Sequence, residues 1–308
     1  MKPKFSLTQL ITIAFLLMIF SCTKENSQDG TIAQQEEQAS ITSSESDGEA
    51  EGVYNGIFDD AMGVSDEVGM AGTGIFGRTY STNTGVGIDA QRLTGCQTVT
   101  ITHPNTTIFP VRVVIDFGTS GCTGIDGHVR KGKIIAEYTN RLIVPGAIAT
   151  TTFDGFYMDS IKVEGTLKIT NSTSPVTSQL SRQFTVEVNG KLTKTNGNYT
   201  EWTSKKVITQ EGGLLTVDYP RDDVFTITGS SHGKVKRSNL LVAWESAIVE
   251  PLVKKFTCRW IVKGKVKTAI VSSSSNSSKS ALLDFGAGDC DNKAVITING
   301  VAHNITLY

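Results

Sequence analysis

Signatures of catalysis and of metal or nucleotide binding are scarce in this 308-residue chain. The four histidines, His103, His128, His232 and His303, fall into neither HExxH nor HxH spacing, so no zinc site is indicated. No GxSxG elbow is present to expose a nucleophilic serine. Gly72-Thr73-Gly74-Ile75-Phe76-Gly77 spells GxGxxG, but it neither follows a strand nor opens a helix, so no amides are aimed at a pyrophosphate. Asp116-Phe117-Gly118 lacks the upstream His-Arg-Asp loop of a kinase. The turn Asp289-Cys290-Asp291-Asn292 lacks the glycine and distal glutamate of a calcium loop. These absences call for no metal, no cofactor and no catalytic residue. Net charge is −1, far from the basic balance of a nucleic-acid binder. The one long apolar stretch, Leu10 to Phe20, is too short to span a bilayer.

That stretch has an address value instead. Lys2 and Lys4 precede it, and Ser21 and Cys22 follow. A basic start, a short apolar run and a small residue describe a secretory signal peptide over 1–21. Cys22 after Ser21 resembles a bacterial lipobox, which implies acylation of the thiol and anchoring to a membrane. Export to an oxidising compartment makes disulfides the first expectation for Cys96, Cys122, Cys258 and Cys290. Three pairings exist. Cys96–Cys122 and Cys258–Cys290 are favoured because each closes a hairpin-sized segment, and each second cysteine follows an Asp-Phe-Gly at the same distance: Asp116-Phe117-Gly118 and Asp284-Phe285-Gly286. One supersecondary unit is used twice.

Residues 22–52 hold only Ile32 and Ile41 as large apolar side chains, and 23–52 carry one lysine against eight acids, a net of −7. With +2 in the leader, this leaves +4 on 53–308. Such a segment is expected to be a flexible acidic tether, unable to bury enough surface to offset its ordering entropy. Within 53–95, Tyr54, Ile57, Phe58, Ala61, Met62 and Val68 recur at helical spacing, predicting one amphipathic helix and a loop packed on the core, stopped by Gly69 and Gly72.

Residues 96–308 read as strand. Val99–Ile101, Val111–Ile115, Val163–Ile169, Phe184–Leu192, Val224–Ile227, Trp260–Ile270 and Val295–Leu307 are β-branched or alternating, with turn chemistry at Asp126-Gly127, Asn196-Gly197, Gly212-Gly213 and Ser272–Ser278. With no further helix to make crossovers, the sheet is expected to be antiparallel. Gly132, Gly165, Gly190, Gly233, Gly264 and Gly300 each precede an apolar residue by two, so both share a face. Inward glycines admit a neighbouring side chain and let a strand bend. The expected class is therefore all-β: a curved antiparallel sheet, sandwich or partly open barrel, preceded by one amphipathic helix. Lys191, Lys234 and Lys265 alternate with core positions and are candidates for an exposed basic face, whose plainer role is to guard strand edges. Trp202 and Trp244 are candidates for sugar-stacking platforms, which with the lysines form a candidate ligand surface.

Ile115-Asp116-Phe117-Gly118 through Cys122 and Asp126-Gly127 to Arg130-Lys131-Gly132-Lys133-Ile134, together with Val163-Glu164-Gly165-Thr166-Leu167, the lipobox and the leash, resembles uncharacterised lipoproteins of Bacteroidota. The resemblance implies residence in the cell envelope as an outer-membrane lipoprotein, with the side of that membrane open. It carries no activity. The functional expectation is a non-catalytic binding or scaffold module for a glycan or an envelope protein. The alternatives are a carrier of an apolar ligand across the periplasm and, behind it, an envelope hydrolase. The expected partners are the membrane, through the N-terminal lipid, and such a glycan or protein, with no nucleic acid.

Overall fold

Helix α1, Asn26–Met62, runs through the segment whose composition predicts a tether. The computed structural model describes residues 26–62, 68, 96–124, 127–174, 181–215, 222–255, 257–258, 260–271 and 280–307. The signal peptide 1–21, Cys22 and the glycine run 72–77 lie outside the described residues. Residues 1–39 and 40–308 form two compact units. Within the second, Ser40, Thr42, Ser43, Ser44, Ser46, Asp47, Ala50, Glu51, Val53, Tyr54, Ile57, Phe58, Asp60 and Ala61 are all buried. The tether expectation for 22–52 is therefore corrected over 40–52, which are buried helix, and the helix expected within 53–95 is the last part of a longer one. Its described part runs to Met62, and the expected stops at Gly69 and Gly72 lie outside the described residues. A polar helix gains little from propensity alone. Here its stability comes from the sheet around it.

The strands follow in chain order: β1 Thr98–Thr102, β2 Val111–Asp116, β3 Cys122–Thr123, β4 Val129–Tyr138, β5 Ile148–Met158, β6 Ile161–Asn171 and β7 Gln183–Thr193. Then come β8 Tyr199–Gly212, β9 Val224–Arg237, β10 Leu240–Lys255, β11 Ile261–Ile270, β12 Ser280–Ala287, β13 Lys293–Ile298 and β14 Val301–Thr306. Among the described residues they form one sheet, every pair antiparallel, in the order β1-β2-β4-β5 and onward to β14, with β3 paired to β4 off that path. The all-β, antiparallel, open and curved architecture with one preceding helix is as the alternation predicts. The run 295–307 is two strands, folded back at Asn299-Gly300.

Alternation sets the core. Along β7 the inward residues Phe184, Val186, Val188, Gly190 and Leu192 are buried, while Glu187 and Lys191 face outward. Gly190 leaves room for Tyr54: a Cβ there would lie 1.7 Å from the Tyr54 hydroxyl. Gly233 does the same for Trp244, whose ring would meet a Cβ at 2.5 Å. Gly300 differs from the other glycines of the series, sitting in the β13–β14 turn.

Both disulfides form as expected, Cys96–Cys122 and Cys258–Cys290, each with Cα atoms 5.6 Å apart. The duplicated unit is real in three dimensions. Phe117 and Phe285 are buried, and the Gly118 and Gly286 amides each donate 2.9 Å to the aspartate two residues back.

Candidate functional site

Residues 40–61 of α1 pack on the inner side of the sheet. Asp47, Glu51, Tyr54, Phe58 and Ala61 recur at alternating intervals of four and three, which places them on one stripe of the helix. Asp47 Oδ1 accepts hydrogen bonds from Trp202 Nε1 at 2.7 Å, Ser231 Oγ at 2.7 Å and Trp244 Nε1 at 3.3 Å. Lys206 Nζ lies 2.5 Å from Glu51 and also faces the Trp202 ring at 5.7 Å. Tyr54 stacks on Trp202 with ring centroids 5.6 Å apart and donates to the Glu164 carbonyl at 3.1 Å. Burial pushes its phenol pKa up. Further along, Phe58 meets Phe184 edge to face, Arg130 holds Asp60 at 3.0 Å, and Tyr138 donates to the Ala61 carbonyl. Around the helix, Lys194 reaches Glu49 at 2.8 Å and Arg237 reaches Glu45 at 2.6 Å.

These contacts correct part of the candidate ligand surface. Trp202 and Trp244 are 3% and 1% exposed and spend their indole N–H groups on Asp47. They are the anchor of the helix, not platforms for sugar. They occupy inward positions of β8 and β10, and nothing in the sequence pairs them with an acid 155 and 197 residues away.

The lysines are on the outer side, as alternation predicts, but much of that side is charge-compensated. Lys191 lies 3.5 Å from Glu201 and 4.4 Å above the Tyr199 ring. Lys234 is the register partner of Glu201. Lys265 sits 2.7 Å from Glu250 and 3.8 Å from Asp284, and its hydrogen bond to Glu250 raises its pKa. Glu187 takes Lys205 and Lys168, and the Lys205 hydrogen bond lowers its pKa. Opposite charges across neighbouring strands contribute to sheet pairing, so this face is a mosaic and not a basic field.

Two open clefts interrupt it. The row Gly165, Gly190, Trp202, Gly233, in register across β6 to β9, floors a cleft of about 440 Å³ on the outer side. Its rim carries Asn189, Lys191, Glu201, Thr203, His232 and Lys234. A larger one of about 880 Å³ runs along β11 to β14 and includes Lys263, Lys265, Asp284 and Lys293. The structure thus gathers Lys191 and Lys234 into one cleft and puts Lys265 in the other. A signal for the first cleft exists in the sequence as the glycine series, inward positions that carry no side chain. Among the described residues no three His, Cys, Asp or Glu side chains cluster to hold a metal ion, and no helix is long and apolar enough to cross a membrane.

No protein-family model matches the chain, and no curated protein and no solved structure proved similar to it.

Proposed function

We propose that this is a lipid-anchored cell-envelope protein, tethered through Cys22 to the outer membrane, that acts as a non-catalytic binding module. The ligand is a glycan taken in the outer cleft over Gly165, Gly190 and Gly233. The observation that carries this reading is the occupation of the sheet's inner side by residues 40–61 of α1. The buried charged groups that chemistry would need, Asp47, Glu51, Lys206, Asp60 and Arg130, are spent on docking the helix. What is left for a ligand there is an open cleft rimmed by polar side chains. Asn189, Thr203, His232 and Glu201 offer donors and acceptors, and Lys191 and Lys234 flank them. At about 440 Å³ the cleft accommodates one or two sugar rings. A carrier of apolar ligands would have to expel the helix first, and nothing favours that reading over this one.

The test is cosedimentation of the full chain with purified peptidoglycan sacculi, and separately with lipopolysaccharide. Binding to one of them, weakened at least five-fold by Lys191→Ala with Lys234→Ala, is expected. Absence of binding to both, or binding indifferent to the double substitution, contradicts the reading.

A further inference from the structure

Among the described residues β14 is an edge strand, paired only with β13. Sheet edges are normally protected by charge or proline, since their free N–H and C=O groups template further pairing. Each strand from β2 to β13 on the path carries at least one Asp, Glu, Lys or Arg; the two edge strands, β1, Thr-Val-Thr-Ile-Thr, and β14, Val-Ala-His-Asn-Ile-Thr, carry none and no proline. Val301 at its start is 57% exposed.

The phase of its backbone is set by the turn before it. Asn299 and Gly300 both have positive φ, 51° and 81°, the two-residue hairpin geometry whose flanking pair, Ile298 with Val301, exchanges hydrogen bonds. Val301, His303 and Ile305 therefore direct their backbone groups toward β13. The Leu307 amide, bonded to the Asn292 carbonyl at 2.7 Å, agrees with that phase. Ala302, Asn304 and Thr306 direct theirs outward.

The opposite edge cannot meet this one on equal terms. Thirteen strands lie along the path, an odd number, and every neighbour is antiparallel, so β1 and β14 run the same way. Joining them as one continuous sheet, within a chain or head to tail between chains, makes a parallel pair, the less stable kind per residue. Antiparallel continuation of the same faces requires β14 of a second copy, related by a two-fold axis normal to the sheet.

We propose that two copies of this chain associate through β14, paired antiparallel about an axis at Asn304. In that register Ala302 faces Thr306 of the other copy, His303 faces Ile305, and Asn304 faces Asn304. All three outward-directed residues are used in both copies, and no formal charge meets its like. Centring on His303 would place two imidazoles opposite each other and engage only Ala302 and Asn304. The contact is isologous and closes at a dimer. It is independent of the glycan reading.

Cysteine cross-linking on the full chain in its native membranes tests this. A residue on the axis has its Cα about 5.5 Å from its mate, within disulfide reach. Oxidised with copper phenanthroline, Asn304→Cys is expected to give a disulfide dimer on a non-reducing gel, lost on reduction, at least ten-fold stronger than that of Thr306→Cys, whose mate is Ala302. The double variant Ala302→Cys with Thr306→Cys, which changes two exposed edge positions, is expected to restore the dimer. A monomeric Asn304→Cys chain, equal cross-linking for Asn304→Cys and Thr306→Cys, a monomeric double variant, or an adduct with the mass of another protein would each overturn the proposal.

Discussion

Asp47 bonds three donors contributed by β8, β9 and β10, and it is buried on a helix that composition alone would leave in water. Its removal leaves two indole N–H groups and a hydroxyl without an acceptor in a place water reaches poorly. Asp47→Ala is expected to cost about 3 kcal/mol, and Asp47→Asn, which keeps an acceptor oxygen, less than half of that, measured by urea unfolding. Equal losses for the two would mean that shape and not hydrogen bonding holds the site. At this scale the sequence was partly legible. Cysteine pairing followed from spacing and the repeated Asp-Phe-Gly, and the inward set of the strands from alternation. The roles of Trp202 and Trp244 did not, because an aromatic residue at a buried strand position carries no mark of the polar atom its nitrogen will find.

Elements were legible where one face repeats and opaque where stability is borrowed. The strand β7 shows its period in five inward residues, whereas α1 before Tyr54 shows little apolar signal at all. Glu45, Glu49 and Glu51 are satisfied from outside, by Arg237, Lys194 and Lys206, so residues 40–52, with the composition of a disordered leash, are buried helix. The β8–β9 connection carries a titratable counterpart. Asp223, 3% exposed, is pushed up to about 7 by burial and by Asp222 beside it, while a hydrogen bond from Gln210 and the charge of Arg182 pull the other way. The folded chain therefore favours the protonated acid. Its contribution is complete below the unfolded carboxyl pKa near 4 and is lost as pH rises through about 7. Asp223→Asn, neutral throughout, is expected to match the native chain near pH 4 and to exceed it by about 1–2 kcal/mol at pH 8, after allowance for solvent screening. A difference independent of pH would contradict the assignment.

For the molecule as a whole, residues 40–308 are organised as a sheet built around a polar helix. Tyr54, seated at Gly190, stacked on Trp202 and bonded to the Glu164 carbonyl, ties the helix to β6, β7 and β8 at once. Buried pairs such as Glu51–Lys206 and Asp60–Arg130 add little net stability but fix the register of the helix, since any slide strands a charge. The sheet's curvature, foreshadowed by inward glycines, is the shape that this occupant requires. With the inner side lined by residues 40–61 of α1, both clefts described open on the sheet away from the helix. Native-state hydrogen exchange resolved by mass spectrometry tests the central claim most directly. The account predicts that amides of residues 40–61 are protected to the level of β7 and β8, and that 40–52 exchange together with 53–61. Rapid exchange of 40–52 beside a protected 53–61 would return that segment to the role of a tether and contradict the account.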